Sequence, residues 1–230
     1  MQVVILAGGL GTRLRPLTYQ IPKVMVPIKG KPFLEYILEL LKKNNFKNIV
    51  ICAGYLGEQI KNYFRNGEKI GMNILYSFEN EKNLLGTGGA LKNAQKILEK
   101  EFIIVNGDTF LDIDFQDLIS YFHKQQKLGI MVVFQNQPKI MRNNIEINSK
   151  NEVINYDKKK EGKANCVNAG VQVFKKDILK LISPNKKISL EEEIFPILIQ
   201  KKEMSACHAN QRFYDIGTFK QLKQFNNQII

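Results

Sequence analysis

The sequence is poor in the residues on which several classes of protein depend. It has no tryptophan, only two histidines, and three cysteines scattered along 230 residues (Cys52, Cys166 and Cys207). An odd number of dispersed cysteines argues against a disulfide framework, and their spacing does not suit a zinc site. We therefore interpret them as reduced thiols of the protein interior and expect a cytoplasmic location.

Long apolar runs are also missing. No stretch approaches the roughly 18 apolar residues that a membrane-spanning helix requires. The first predicted strand begins at Gln2 and leaves no room for a charged and then apolar targeting segment. We therefore expect no membrane partner.

Arginine is scarce even though the formal net charge is +12. Only five of the 34 basic residues are arginine, and the lysines are dispersed among many asparagines. A nucleic-acid-binding surface would gather its charge into one patch or stripe. We therefore expect no nucleic-acid partner.

The most informative part of the chain is its first 23 residues. An apolar run over residues 3–7 predicts a buried strand, which leads directly into a glycine-rich turn. Backbone N–H groups in such a turn form a concavity that binds anions, and glycine lets a ligand come close to the backbone. The glycines are Gly8, Gly9 and Gly11, and the cations that follow are Arg13, Arg15 and Lys23. The segment therefore predicts a polyphosphate site.

Three other phosphate-binding motifs do not fit this segment. The dinucleotide-binding fingerprint lacks its third glycine, because Gly11 is followed by Thr12, Arg13 and Leu14. A P-loop would require Gly-Lys-Ser/Thr at a fixed spacing, which neither this segment nor residues 86–92 supply. The His-Arg-Asp motif that accompanies a kinase glycine loop is absent as well.

Residues 8–18 and the pair Pro22–Lys23 resemble the signature of the sugar-phosphate nucleotidyltransferase (nucleotide-sugar pyrophosphorylase) family. That signature is a strand, Gly-Gly-x-Gly-Thr-Arg-Leu-x-Pro-Leu-Thr, and then Pro-Lys, and this chain matches it at nearly every position. The resemblance implies that a sugar 1-phosphate attacks the α-phosphorus of a nucleoside triphosphate and releases pyrophosphate. It implies catalytic roles for Arg13 and Lys23. The nucleotide contacts that it implies here are Leu6, Ala7, Gly8, Gly9, Gly11, Thr12 and Arg13.

Strands and helices alternate along the chain, which predicts an α/β fold with a mainly parallel sheet covered on both faces. With the resemblance, we expect a three-layer Rossmann-like (GT-A-like) fold with short antiparallel additions after residue 140. We expect one domain over residues 1–230, with a nucleotide-binding half (1–110) and a sugar-phosphate-binding half (111–230). The predicted strands are 3–7, 48–53, 73–78, 102–105, 130–134, 145–147, 153–156, 167–174 and 204–209, and the predicted helices are 32–44, 56–64, 88–99, 115–125, 189–198 and 218–225.

Two aspartates stand at positions suited to a metal site. Asp108 follows a predicted buried strand, where ligands of open α/β sheets bind, and Asp215 lies in a similar apolar and glycine-flanked segment. Alone, Asp108 could be an acid of a strand-end turn and Asp215 an acid near a helix start. Two carboxylates beside a triphosphate suit Mg²⁺. The resemblance implies that Asp108 and Asp215 are the metal ligands and that Gly107 and Asp108 contact the nucleotide.

The resemblance extends through the middle of the chain. Residues 85–90 (Leu-Gly-Thr-Gly-Gly-Ala) are similar to a family element that implies nucleotide contacts for Gly86, Thr87 and Gly88. Asn168-Ala-Gly170 resembles the family's sugar-contacting strand. Lys158 lies where the family has Glu-Lys-Pro, so the resemblance implies that Lys158 or a neighbouring lysine contacts the sugar phosphate.

The substrates are predicted less sharply than the family. The chain resembles most the bacterial D-glycero-alpha-D-manno-heptose 1-phosphate guanylyltransferases, which favours GTP and heptose 1-phosphate. Mannose 1-phosphate guanylyltransferases, short uridylyltransferases acting on N-acetylmuramate or glucose 1-phosphate, and a non-catalytic nucleotide-sugar-binding protein are the alternatives. Glu79 and Glu81 are candidate guanine acceptors, although both are interpreted as solvated loop acids, and Glu191–Glu193 as the first turn of a helix. A homo-oligomer is compatible with the sequence.

Overall fold

Strands and helices alternate from Gln2 onward in the structure, a computed structural model that describes residues 1–135, 143–156 and 164–229. The strands are β1 (Gln2–Ala7), β2 (Pro27–Ile28), β3 (Lys31–Pro32), β4 (Asn48–Ala53), β5 (Asn73–Phe78), β6 (Glu101–Asn106), β7 (Thr109–Phe110), β8 (Gly129–Phe134), β9 (Ile145–Ile147), β10 (Val153–Tyr156), β11 (Val167–Lys175), β12 (Met204–Ala209) and β13 (Tyr214–Asp215). The α-helices are α1 (Phe33–Lys43), α2 (Gly57–Phe64), α3 (Gly86–Asn93), α4 (Phe115–Gln125), α5 (Phe195–Gln200) and α6 (Phe219–Gln228).

Seven strands form the central sheet, in the order β12–β8–β11–β6–β1–β4–β5. β1 pairs in parallel with β4 and β6, β4 with β5, and β8 with β12. β11 is antiparallel to both of its neighbours, β6 and β8. The predicted α/β fold with a mainly parallel sheet is therefore confirmed.

The place of β11 differs from the expectation. The polar residues Asn168 and Gln172 interrupt its apolar pattern, which predicts one of the short antiparallel additions. The strand is antiparallel, but it lies inside the main sheet between β6 and β8. Its polar side chains satisfy each other, since Gln172 is only 2% exposed and its Nε2 donates to Asn168 Oδ1 at 3.0 Å. The buried Gln172 side chain is tolerated because it is hydrogen-bonded to the half-buried Asn168.

Three small antiparallel sheets accompany the central one: β9 with β10, β7 with β13, and β2 with β3. The first of these contains the additions that the sequence predicted after residue 140. The pairing of β7 with β13 aligns Asp215 with Thr109 and so brings the end of the chain beside Asp108.

Helices cover both faces of the sheet. Along β1, Val3 and Ile5 belong to one buried cluster and Val4 to the other, as the alternation of a strand requires. The cluster of Val3 and Ile5 includes the buried faces of α1, α2, α4 and α6, and that of Val4 includes α3 and α5. Within the described part of the chain, no helix is long and apolar enough to cross a membrane.

The two largest departures from the predicted helix bounds are at α3 and at the helix predicted to start at Ser189. α3 begins at Gly86, ends at Asn93 and continues as a 3-10 turn over Ala94–Lys96, whereas the sequence predicted 88–99. The predicted helix start at Ser189 is confirmed, since Ser189 Oγ accepts from the Glu192 N–H at 3.1 Å. Its first turn, Leu190–Ile194, is a π-helix, after which α5 begins. Pro196 lacks the N–H that would continue an α-helical ladder through this turn.

Candidate active site

A cleft of about 510 Å³ opens at the carboxyl ends of β1 and β6. This is the edge at which open α/β sheets bind their ligands. The predicted residues that line the cleft are Leu6, Ala7, Gly8, Gly9, Gly11, Thr12, Arg13, Lys23, Gly86, Thr87 and Asp108. The structure thus brings together segments that lie about a hundred residues apart in the chain.

The glycine loop has its shape because the chain turns tightly after β1. Gly11 has φ 62°, in the left-handed region, and a Cβ there would lie 2.9 Å from Thr18 Cγ2. The Gly11 carbonyl accepts from the Leu14 N–H at 2.9 Å and from Thr18 Oγ1 at 2.8 Å. These bonds fix the 3-10 turn Thr12–Leu14, which carries Arg13 on the exposed rim of the cleft.

Lys23 and Asp108 form an ion pair inside the cleft. Lys23 begins a 3-10 turn directly after Pro22, and Asp108 follows the end of β6. Lys23 Nζ donates to Asp108 Oδ2, and the side chains are 12% and 34% exposed. Thr109 Oγ1 donates to the other carboxylate oxygen of Asp108 at 3.1 Å. The cation and the acid that the sequence predicted separately are therefore direct neighbours.

Asp215 reaches the same place from the end of the chain. The Ile216 N–H donates to the Asp108 carbonyl at 3.0 Å, which joins the two segments by their backbones. Asp215 Oδ1 accepts from the Gly217 N–H at 2.8 Å, and its Oδ2 accepts from Gln221 Nε2 at 2.6 Å. The carboxylate is therefore held in one orientation.

The environment of Asp215 disfavours its charge. Burial raises the pKa of this carboxyl above its ordinary value, and the neighbouring Asp108 carboxylate raises it further. The Gly217 N–H, Lys23 and Arg13 act in the opposite direction. Two carboxylates that repel each other at the mouth of a phosphate cleft are stabilised when a cation binds between them.

The donor set suits a hard divalent cation. Asp108 and Asp215 offer oxygen atoms alone, and Mg²⁺ commonly takes one or two carboxylates together with substrate phosphates and waters. Among residues 1–135, 143–156 and 164–229 there is no group of three or more His, Cys, Asp or Glu side chains able to hold a metal. The pair therefore fits a cation shared with a phosphate substrate better than a closed protein site.

The Arg13 guanidinium lies close to this pair of carboxylates. A Cβ at Gly217 would lie 2.7 Å from Arg13 Nη2 and 3.0 Å from Asp215 Oδ1. Glycine at position 217 thus leaves room for the guanidinium beside the carboxylate.

Comparison with known proteins identifies the family of this chain. A family model described as Nucleotidyl transferase matches residues 2–230. The chain belongs to this family. It is 38% identical to the D-glycero-alpha-D-manno-heptose 1-phosphate guanylyltransferase of Campylobacter jejuni, over 94% of this chain and 95% of that protein. It is 34% identical to the enzyme of the same name from Aneurinibacillus thermoaerophilus, over 94% and 93% of the two chains.

A solved structure shows the same architecture. The crystal structure of HddC from Yersinia pseudotuberculosis complexed with GMP-PN has a TM-score of 0.83, with 29% identity over 100% of this chain and 99% of that one. The resemblance to the nucleotidyl transferase family that the sequence predicted is thereby confirmed, and so is its closeness to the heptose 1-phosphate guanylyltransferases.

Two of the predicted nucleotide contacts of this nucleotidyl transferase lie behind the cleft. The Gly107 N–H donates to the Leu6 carbonyl at 2.9 Å, so Gly107 joins β6 to β1. The Gly88 N–H donates to the Ile188 carbonyl at 2.8 Å, and a Cβ at Gly88 would lie 2.9 Å from Ile188 Cγ2. Neither residue lines the cleft. Both glycines allow close backbone packing, which local sequence cannot distinguish from close approach of a ligand.

The predicted sugar contacts are placed only in part. Asn168 Oδ1 accepts from the Gly170 N–H at 3.0 Å and from Gln172, so this oxygen is occupied within the protein. Gly170 has φ 78°, and a Cβ there would lie 2.9 Å from Thr109 Cγ2. Gly170 therefore packs against Thr109, the residue that follows Asp108. Lys158 lies outside the described residues.

Sequence reasoning missed several residues of the site. Glu79 is half-buried and lines the cleft, contrary to its interpretation as a solvated acid, whereas Glu81 is exposed and does not. Glu191 also lines the cleft, as well as beginning a helix. Gln221, which holds Asp215, stands three residues after Thr218, and that spacing is the capping-box pattern. The pattern locates Gln221 on the first turn of α6 but does not indicate its partner.

Proposed function

We propose that this protein transfers a guanylyl group from GTP to D-glycero-alpha-D-manno-heptose 1-phosphate and releases pyrophosphate. The observation that carries the proposal is that Arg13, Lys23 and Asp108 line one cleft together with the glycine loop, while Asp215 lies beside Asp108. The similarity to heptose 1-phosphate guanylyltransferases over nearly the whole of both chains supports the choice of substrates.

The reaction needs positioning and charge stabilisation more than proton transfer. The phosphate of a sugar 1-phosphate is already ionised near neutral pH, so its oxygen can attack the α-phosphorus in line without a general base. Two anions must then approach each other, and fixed positive charge in a cleft lowers that cost. Lys23, in the interior of the cleft, would offset the repulsion between sugar phosphate and α-phosphate. Arg13, on the rim, would bind the departing pyrophosphate.

Asp108 and Asp215 would hold Mg²⁺. When bound, this ion supplies positive charge to phosphate oxygens and helps to orient the reactants. The Thr109 hydroxyl, the Gly217 N–H and the Gln221 amide keep the two carboxylates oriented for it.

The environment of Glu79 favours guanine as the base. Its Oε2 accepts from the Leu85 N–H at 2.5 Å, and its Oε1 lies over Gly8, where a Cβ would approach it to 2.7 Å. Burial raises the pKa of this carboxyl, and the Leu85 N–H opposes that shift. Guanine presents two donors on one edge, a ring N–H and an exocyclic amine, and a carboxylate accepts from both. We propose that Glu79 is the acceptor for the guanine edge.

We also propose that this protein is located in the cytoplasm. Cys52, Cys166 and Cys207 are free thiols, which supports a cytoplasmic location, where nucleoside triphosphates are available.

A pyrophosphate-release assay tests the function directly. GTP, UTP, CTP and dTTP are each combined with heptose, mannose or glucose 1-phosphate, with and without Mg²⁺. We expect turnover to require Mg²⁺ and to be greatest with GTP and the heptose, because a site that pairs the guanine edge leaves buried groups unpaired with another base. Comparable rates with UTP or dTTP and a hexose 1-phosphate would contradict the guanylyl assignment. No release with any pair would favour a non-catalytic binding protein.

A further inference from the structure

A short segment far along the chain closes one wall of the cleft. Residues 186–191, called the strap below, cross the first turn of α3. The Ile188 N–H donates to the Leu85 carbonyl at 2.8 Å, and the Ile188 carbonyl accepts from the N–H groups of Gly88 and Gly89 at 2.8 and 3.2 Å. A Cβ at Gly89 would lie 2.5 Å from the Lys186 carbonyl oxygen. The glycines of this turn therefore let the strap lie directly on α3.

The strap orients the carboxylate of Glu191. Thr87 Oγ1 donates to Glu191 Oε2 at 2.7 Å, and Ser189 Oγ donates to the same oxygen at 3.0 Å. The Leu190 N–H donates to Thr87 Oγ1 at 2.8 Å, so the Thr87 hydroxyl accepts from the strap and directs its proton to Glu191. Glu191 Oε2 accepts both of these hydrogen bonds, from Thr87 and from Ser189. Among the described residues, the other oxygen, Oε1, has no hydrogen-bond partner, and Glu191 forms no ion pair.

A carboxylate in this position is unsuited to bind phosphate. It accepts hydrogen bonds and cannot donate them, and it repels a polyanion. Arg13 and Lys23, cations that suit phosphate, line the same cleft on the glycine-loop side, and Lys187 lines it from the strap. Glu191 lines it from the strap and α3. Its free oxygen therefore suits the uncharged hydroxyl groups of a bound substrate.

On this geometry, and given the proposed function, we propose that Glu191 determines specificity by accepting hydrogen bonds from ring hydroxyls of the bound nucleotide sugar. The hydroxyls belong to the pyranose or to the ribose. Thr87 and Ser189 act as positioning residues that keep the acceptor oriented before the substrate arrives.

The neighbours of Glu191 favour the pyranose. Tyr156, at the end of β10, has its pKa raised first by burial and then by the nearby Glu191 carboxylate, while a hydrogen bond from the Asn168 side chain opposes the shift. Glu191 and Asn168 therefore both lie near Tyr156, and of the two only Glu191 lines the cleft. Asn168 is the residue for which the family resemblance implies a sugar contact.

Calorimetric titration of GDP and of GDP-mannose tests the inference without turnover. Glu191→Gln keeps an oxygen that can accept from Thr87 but loses the charge. Glu192→Gln makes the same change one residue later, on an exposed side chain that does not line the cleft. We expect Glu191→Gln to lower the affinity for GDP-mannose roughly 10- to 100-fold, which is the effect of losing hydrogen bonds to a charged acceptor. Glu192→Gln should bind like the parent protein, and both variants should unfold at the parental temperature.

The pattern of affinities identifies the hydroxyls. If Glu191→Gln lowers the affinity for GDP-mannose and leaves the affinity for GDP unchanged, the contact is with the pyranose. If it weakens both equally, and has no further effect on 2′-deoxy- or 3′-deoxy-GDP, the contact is with the ribose. Parental affinity for both ligands, or an equal loss in Glu192→Gln, would overturn the inference. Binding without pyrophosphate release in the parent would count against the proposed function, and the affinities would still decide the role of Glu191.

Discussion

Replacing Glu79 by glutamine should reduce the preference of the enzyme for guanine. The Glu79 carboxylate accepts a hydrogen bond from the Leu85 N–H and lies close to Gly8. Its position is therefore set by the loop before α3. Glutamine has nearly the same shape and can still accept from Leu85. Its amide, however, presents a donor where guanine also presents donors.

The structure allows an estimate of the size of this effect. A hydrogen bond to a charged acceptor contributes about 1.5–3 kcal/mol. About 1.4 kcal/mol corresponds to a tenfold change, so loss of the hydrogen bond to the exocyclic amine should lower kcat/KM for GTP roughly ten- to a hundredfold. Glu79 is half-buried in the cleft, so water replaces the lost contact poorly.

Inosine triphosphate isolates this contact, because inosine is guanosine without the exocyclic amine. We would measure kcat/KM for GTP and for ITP, with heptose 1-phosphate and Mg²⁺ held at saturation. The parent enzyme should prefer GTP by roughly ten- to a hundredfold, and Glu79→Gln should bring the ratio to within about threefold of unity. Glu81→Gln is the matched control, since Glu81 is exposed and does not line the cleft.

A parental GTP-to-ITP ratio in Glu79→Gln would refute the assignment of Glu79 to the guanine edge. An equal fall in kcat/KM for both nucleotides would also refute it, and would indicate that Glu79 only supports the loop through Leu85.

Three further predictions concern the phosphate end of the cleft. Asp108→Asn and Asp215→Asn should each lower turnover by about a hundredfold or more without unfolding the protein, and near-parental turnover with Mg²⁺ in either variant would contradict its role as a ligand. Arg13→Ala should raise the KM for GTP roughly ten- to a hundredfold, whereas Lys23→Ala should lower mainly kcat. Steady-state kinetics that show equal changes in KM and an unchanged kcat in both variants would contradict this division of roles. Gly217→Ala should displace the Arg13 guanidinium and lower kcat/KM by up to about a hundredfold at an unchanged melting temperature, and unaltered kinetics would show that the guanidinium tolerates the shift.

Much of the fold could be predicted from local pattern. The strand over residues 48–53 and the helix over 115–125 have the predicted bounds. The helix is long enough for its apolar periodicity to be unambiguous, and the strand is a short, continuous and mostly β-branched apolar run that is followed by Gly54. The pattern was less informative at β11, where the hydrogen-bonded pair of a half-buried Asn168 and a buried Gln172 gives a central strand the polar pattern of a peripheral one. It also failed at the end of α3, where the α-helix becomes a 3-10 turn.

The candidate site divides in the same way. Arg13, Lys23 and Asp108 could be found from the sequence, because each stands next to a strand end or a turn whose chemistry is local. Glu79 could be named only as a candidate beside Glu81, and Glu191 only as part of a helix start, since acids in loops and at helix starts are common and usually exposed. Whether such an acid faces solvent or a cleft depends on segments that lie elsewhere in the chain.

The sequence by itself determined the glycine loop, the cations that follow it, the acid after β6 and the family to which the chain belongs. These features depend on backbone conformation and turn chemistry within a few residues, which local sequence specifies directly. Tertiary structure decided that Asp215 pairs with the segment of Asp108 and that Glu191 reaches the cleft through Thr87. Contacts between residues about a hundred positions apart depend on how sheet, helices and strap pack together, and no local periodicity records that packing.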